Sequence, residues 1–521
     1  MNLRMRIAAA AGAGLLVAAG AAAREKWIHA QTEHFEMFSC ASESTSRELL
    51  AKLEQFRATI LRVYPLRNNR EPPTTVILFD TDSQFERYRP MRHGEHEEAG
   101  GYCVYDPAEA VIVLSDEYDR ETTQQIIFHE YVHLLVGARG EHPPVWLNEG
   151  LAEFFSTFDT EKGRFVIGRH KPEHVDLLLS SHLMPLGHLF AITPDSPEYH
   201  EGSDRGILYA ESWLLVHYAL LGAKQNVMKP ALARFVGLLE TPGAAVDESF
   251  RQAFGMDYDA MESRLRDYLH GGGYHMATGP LPLGDLSSQL KFTPAGDEER
   301  ELALADLRWR LQAPEDTTYR LMQSANQRPD SPRPYELLAI VASQGNDPEA
   351  ALRKWQDAVE RGSKNAYAYL VVARDRVNQL LAGFSPDYRL PADQAATLRG
   401  WLDRALELSP NYLAADEQLA LVEAMAAEPR PAVLNRIQAV VNEMPDRSLT
   451  LFALAVVHWR VQHFELARQI DELLLKSPKT DPQVHWLAEV LHRRLPPPAP
   501  KPEGAAPPAA AGSEAPAGPA H

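Results

Sequence analysis

The residues with the clearest chemical potential are His129-Glu130-Tyr131-Val132-His133. Glu121 to Val136 reads as a helix, charged at its start, apolar in its body and stopped by Gly137. Residues four apart share one helix face, so His129 and His133 can offer two imidazoles to one metal ion. Glu130 lies about 100° round the helix, within reach of a water on that metal. Zinc suits such ligands, because it is borderline-soft, tetrahedral and tolerant of an open fourth position. In a chain with 20 His, random order gives about 0.06 such motifs, so the residues after the motif must decide. After Arg139-Gly140-Glu141-His142 come Pro143-Pro144 and then Val145-Trp146-Leu147-Asn148-Glu149-Gly150-Leu151-Ala152-Glu153. The prolines can open a second helix, on which Glu149 and Glu153 are neighbours one turn apart. A carboxylate carried soon after the two histidines is what a His₂Glu zinc set requires.

HExxH followed by Trp-Leu-Asn-Glu-Gly-Leu-Ala-Glu resembles the gluzincin metallopeptidases, the clan of thermolysin and aminopeptidase N. More narrowly, it resembles the peptidase-MA-like domains of exported bacterial proteins. The resemblance implies His129, His133 and Glu149 as zinc ligands and Glu130 as general base. It also implies Glu153 as the acid that braces a ligand histidine from behind. Fifteen residues lie between His133 and Glu149, fewer than in either named enzyme, which calls for a tight connection. By the same resemblance, the strands before the motif helix form a sheet edge that pairs with substrate backbone. Gly100-Gly101-Tyr102-Cys103 falls where aminopeptidase N-like enzymes keep a glutamate for the substrate amine, and it has none. That weighs against an aminopeptidase and towards an endopeptidase or a dead site. A tyrosine about sixty residues past the glutamate ligand donates to the oxyanion in that branch, and Tyr209 stands at this separation. Tyr209 either takes that role or packs against the motif helix, with Tyr199 a weaker rival.

These residues need elements to hold them. Trp27 to Phe38 mixes alternation with β-formers, Ser44 to Tyr64 is an amphipathic helix, and Thr74 to Asp80 reads as a buried strand. Arg89 to Gly101 reads as a polar loop in which His93 and His96 are solvated rather than ligating. Tyr102 to Tyr105 and Glu109 to Ser115 form an expected hairpin around Asp106-Pro107-Ala108. Cys40 and Cys103 lie in expected strands, as a disulfide or as two buried thiols. A short strand is expected from Gly163 to Gly168. Helices are expected at Val175–Leu183, Asp204–Leu221, Val227–Leu239, Val246–Phe254 and Tyr258–Leu269. His217, mid-helix among apolar residues, reads as a satisfied core histidine.

Beyond Pro294 the texture becomes continuous helix. Turn markers at Pro329, Ser363, Pro410, Pro445 and Pro478 give intervals of 34, 47, 35 and 33, the long one carrying the insert Phe384 to Pro391. This period, with Ala-Leu-Glu-Leu-Ser-Pro-Asn (405–411) and Asp-Pro-Glu-Ala-Ala-Leu (347–352), resembles tetratricopeptide repeats, which stack into a solenoid with a concave surface. The expected fold class is α+β: a gluzincin-like domain over 24–290 with a mixed sheet, the HExxH helix and a helical subdomain. An all-α solenoid is expected over 297–495. Residues 1–23 read as a cleaved signal peptide, with Arg4 and Arg6 before an Ala-rich apolar stretch, no lipobox and no lasting membrane anchor. These features imply a periplasmic location. Residues 496–521 are Pro/Ala-rich with too little apolar bulk to pack.

The net charge of −19 excludes nucleic-acid or anionic-membrane partners, since phosphates need a basic surface. Two functions from different classes fit. In one, an exported Zn²⁺-dependent peptidase cuts proteins or peptides, Glu130 accepts the water proton, and the repeats recruit substrate or partner on their concave face. In the other, a non-catalytic tetratricopeptide scaffold carries an inactive metal-binding domain.

Overall fold

The computed structural model describes residues 26–497 apart from 64–70, 93–94, 97–99, 118–119, 138–142, 201, 223, 240–243, 312–313 and 444–446. The expected signal peptide, His93, Pro445 and the tail from 498 lie outside the described residues. The chain packs as two units, one through Ser363 and one from Lys364.

The first unit is α+β. It opens with β1 (Ile28–Gln31), β2 (Phe35–Ser39), the long helix α1 (Glu43–Val63), β3 (Thr74–Phe79) and the one-turn α2 (Asp82–Phe85). A small hairpin of β4 (Met91–Arg92) and β5 (Glu95–His96) precedes a larger one of β6 (Gly101–Tyr105) and β7 (Ala110–Ser115). Next come α3 (Arg120–Gly137), α4 (Val145–Ser156), β8 (Asp159–Glu161) and β9 (Arg164–Ile167). Helices α5 (Pro172–Ser180), α6 (Leu186–Ala191), α7 (Pro197–His200) and α8 (Gly202–Leu221) come after them. So do α9 (Gln225–Leu239), α10 (Val246–Phe254) and α11 (Tyr258–Gly271). After β10 (Ala277–Pro280) and β11 (Thr293–Pro294) the unit ends in α12 (Asp297–Arg310), α13 (Pro314–Gln327), α14 (Arg333–Gln344) and α15 (Pro348–Glu360).

Six strands make a mixed sheet in the order β11-β1-β2-β3-β7-β6. The parallel pairs β2/β3 and β3/β7 lie at its centre, and β6 is an edge strand antiparallel to β7. A parallel pair needs a crossover, and α1 supplies the first. The central strands bury both faces, which is why Thr-Thr-Val-Ile-Leu-Phe reads as a continuous apolar run. Met37, Val76, Leu78, Ile112 and Leu114 pack toward α1 and α3. Phe38, Ile77, Phe79, Val111 and Val113 face the other way, against Trp27, Phe85, Tyr88 and the α12 residues Ala303, Leu304 and Leu307.

This second face corrects the domain boundary expected near Pro294. Thr293–Pro294 is itself a strand paired with β1, and α12 is part of the sheet's cover. A sheet that is apolar on both sides must be covered on both. The helical segment from 297 to 363 therefore belongs to the first unit.

The second unit is all-α. It comprises α16 (Ala366–Leu381), α17 (Ala392–Leu408), α18 (Leu413–Met425), α19 (Leu434–Glu443), α20 (Ser448–Arg460), α21 (Phe464–Lys476) and α22 (Pro482–His492). Consecutive helices pack on each other, and α16 also touches α18, α18 touches α20, and α20 touches α22. The turn markers Ser363, Pro410 and Pro478 fall between helices, as does Pro329 in the first unit. The insert between α16 and α17 lies over the others: Leu390 N–H donates to Met425 O at 2.8 Å, and Phe384 meets Phe452. Arg460 donates to the Tyr388 carbonyl at 2.5 Å. Among the described residues, no helix is long and apolar enough to cross a membrane.

Candidate metal centre

Helix α3 is oriented by the residues inside its motif. Tyr131 and Val132 are buried, Tyr131 against Phe35 and Phe56, with its hydroxyl donating to Glu71 Oε2 at 2.6 Å. Fixing those two inward turns His129, Glu130 and His133 toward the opposite side. Pro144 ends the connecting segment in extended backbone, and α4 begins at Val145. Glu149 is fully buried. Gly150 explains how α4 carries it there: a Cβ at this position would lie 2.5 Å from Ser212 O and 2.6 Å from Val216 Cγ2. Only glycine lets α4 and α8 approach this closely.

The two helices bring three ligand atoms together. His129 Nε2 and His133 Nε2 are 3.0 Å apart, and each lies 3.4 Å from Glu149 Oε2. Among the described residues, His129, His133 and Glu149 are the one group of three or more His, Cys, Asp or Glu that could hold a metal ion. Glu149 Oε2 is buried and has no hydrogen-bond partner. A buried carboxylate oxygen facing two imidazole nitrogens without a donor is costly unless a cation sits among them. The residues present therefore fit a metal.

Charged partners brace this triad from behind. His129 Nδ1 lies 3.3 Å from Glu153 Oε1, and Glu153 Oε2 receives Lys171 Nζ at 2.5 Å and His174 Nε2 at 3.0 Å. Burial would raise Glu153, but His129, His174 and Lys171 hold its carboxylate well below the usual range. Burial would likewise lower His129, yet Glu149 and Glu153 push it up to about 10. A metal would thus displace the proton that these carboxylates hold on His129. Lys171 and His174 carry no signal of this role in the sequence. They stand at the start of α5, and no spacing rule ties that helix to α4.

On the other side, the Tyr199 hydroxyl donates to Glu149 Oε1 at 2.8 Å. Burial, with Glu149 nearby, raises the Tyr199 hydroxyl, which stays protonated. The Tyr209 ring lies parallel to His129 at 6.0 Å and to Tyr199 at 6.5 Å. Both tyrosines thus stand beside the triad, Tyr199 on the carboxylate and Tyr209 on the imidazole. Glu130 is half-buried, and its charge acts on Cys103 and Tyr105 of β6 and on Tyr199. Glu130 therefore lies close enough to the edge strand and to Tyr199 for its charge to be felt at both.

His217 is a satisfied core residue, with Nε2 2.9 Å from Gly168 O and Nδ1 2.8 Å from the Tyr268 hydroxyl. Burial lowers it to about 4. Cys40 and Cys103, both half-buried, are not joined in a disulfide. No protein-family model matches the chain, and no curated protein matches it.

Proposed function

We propose that this chain is an exported zinc metallopeptidase of gluzincin-like architecture, an endopeptidase acting on proteins or peptides of the cell envelope. The observation that carries the reading is the convergence of His129, His133 and Glu149 beside Glu130. Ligand atoms about 2.0–2.2 Å from a tetrahedral zinc stand roughly 3.3–3.5 Å apart, close to the 3.0 and 3.4 Å separations of the triad. When bound there, zinc would supply a Lewis acid that makes water acidic near neutral pH and polarises a carbonyl.

The chain's own residues supply the rest. Glu130 accepts a proton from the attacking water and hands it to the leaving amine, since a carboxylate within reach of both can do each in turn. Tyr209 offers a hydroxyl to the developing oxyanion. The edge strand β6 holds an extended peptide by main-chain pairing, alongside the face on which Glu130 lies. Glu153, gripped by Lys171 and His174, fixes the tautomer and tilt of His129. The stacked helices of 364–495, tetratricopeptide-like in period, recruit substrate or partner.

The test is metal analysis of purified protein together with cleavage of a peptide library, comparing wild type with Glu130→Gln. The amide is nearly isosteric but cannot take the proton. Zinc content should persist while turnover falls about 10²–10⁴-fold. Undiminished cleavage in the variant removes Glu130 from the mechanism. A wild type that binds zinc and cuts nothing is instead the non-catalytic scaffold.

A further inference from the structure

The β6–β7 hairpin, which carries the edge strand facing Glu130, is gripped at its turn by two arginines from the helical segment. Arg310 of α12 lies 2.9 Å from both Asp106 Oδ2 and Glu109 Oε1, and its Nε bonds Asp306 of its own helix at 3.0 Å. Arg333 of α14 reaches Glu109 Oε2 at 2.5 Å and Glu336 at 3.3 Å. The Ser363 hydroxyl in turn donates to Glu336 Oε1 at 2.6 Å. Glu109 thus spends one carboxylate oxygen on each arginine, and both oxygens are out of water. Burial would raise this carboxylate, but the two arginines keep it ionised.

The strand lies next to the motif helix. A Cβ on Gly101, at the start of β6, would lie 3.2 Å from Ile126 Cγ2 of α3, so strand and motif helix are in direct contact. One helical turn on, the Glu130 charge acts on Cys103 and Tyr105. The strand therefore lies against α3 at its Gly101 end, and the arginines hold its other end, at the turn. An unsupported edge strand held by one ladder would fray at such an end. Apolar cover alone does not need one buried and one partly exposed arginine on a turn, since such ion pairs are weak sources of stability.

We propose that Arg310 and Arg333 are positioning residues that, through Glu109 and Asp106, hold β6 in register beside Glu130 for main-chain pairing with substrate. The role in catalysis rests on the peptidase reading above; the clamp on β6 does not. On this view α12 and α14 are part of the site's architecture.

The experiment compares full-length wild type with Arg333→Gln and Arg333→Lys. Amide hydrogen exchange over 101–105 should accelerate about tenfold in Arg333→Gln, with α3, α4 and zinc content unchanged, and Arg333→Lys should recover part of the protection. On a fluorescence-quenched peptide library, KM should rise about tenfold with kcat within about twofold, since main-chain pairing contributes equally to ground and transition states. If Arg333→Gln does not fold, Glu109→Gln/Arg333→Gln removes the carboxylate left with one of its two arginines and is read the same way. Unchanged exchange at β6, or exchange rising equally across α3 and α4 with loss of zinc, overturns the clamp. A wild type that cleaves nothing would defeat the peptidase reading, while the exchange measurement would still decide whether the arginines hold the strand.

Discussion

Glu153 gives His129 a fixed orientation. With Nδ1–H donated to Glu153, the lone pair of Nε2 points at the triad, and Lys171 and His174 keep Glu153 from turning away. Glu153→Gln should therefore weaken zinc about 10–100-fold in competition with a chelator, with the fold intact. Unchanged affinity would detach Glu153 from the site. His129→Ala should empty the centre while His93→Ala leaves its zinc content alone; equal zinc in both would sink the ligand assignment. Tyr209→Phe should slow turnover about 10²–10³-fold if its hydroxyl serves the oxyanion. An unchanged rate with a lower melting temperature would mean that the ring only packs on His129. The pairing of His129 with His133 was legible because helical period puts them on one face, whereas the parts of Glu149 and Glu153 came from the resemblance of the following segment. Tyr199, Lys171 and His174 were not assigned their roles, because their contacts depend on where α7 and α5 fall in space. A further residue-scale effect lies at Glu211, fully buried with one oxygen unpartnered and raised by burial to about 8. Its folded value exceeds its unfolded one. Its contribution is therefore fully present below about pH 4.5 and is lost as pH rises toward 8, at up to about 1.4 kcal/mol per pH unit. Glu211→Gln should flatten that slope in urea unfolding between pH 5 and 8, and an unaltered slope would assign the dependence elsewhere.

At the scale of elements, the decisive contact is α4 against α8. Gly150 lies next to Glu149 of the triad, and a methyl there meets the Ser212 carbonyl, a rigid backbone atom. Gly150→Ala should force the helices apart, costing about 1–3 kcal/mol and lowering zinc content together. A variant with wild-type melting temperature and metal would show that the approach is not needed. Most elements around the site were readable: α3 and α4 from caps, period and prolines, β3 and β7 from their branched runs. The two-residue β11 was not, because Thr293–Pro294 sits in a breaker-rich stretch. Only its pairing with β1, far away in the chain, makes it a strand.

For the whole molecule, the cover provided by α12 changes what can be cut away. The residue 24–290 fragment would bare Ile77, Val111 and Val113 and leave Glu109 without its arginines. It should aggregate, whereas residues 24–363 should be monomeric, folded and able to hold zinc; size-exclusion chromatography with metal analysis compares them. A soluble, zinc-loaded 24–290 fragment would restore the boundary near Pro294. Period and turn markers correctly foretold helices after Pro294. They could not tell that the first of these pack on the sheet, because an amphipathic helix looks the same whether its apolar face meets another helix or a strand layer.

That arrangement also sets a timetable. The ribosome adds about 5–20 residues per second, so roughly 10–40 s separate Ser115 at the end of β7 from Leu307 of α12. Through that interval this face of the sheet has Trp27, Phe85 and Tyr88 against it but lacks the α12 part of its cover. A chain that lacks α12 should therefore be retained by a holdase chaperone, and one that includes α12 should be released.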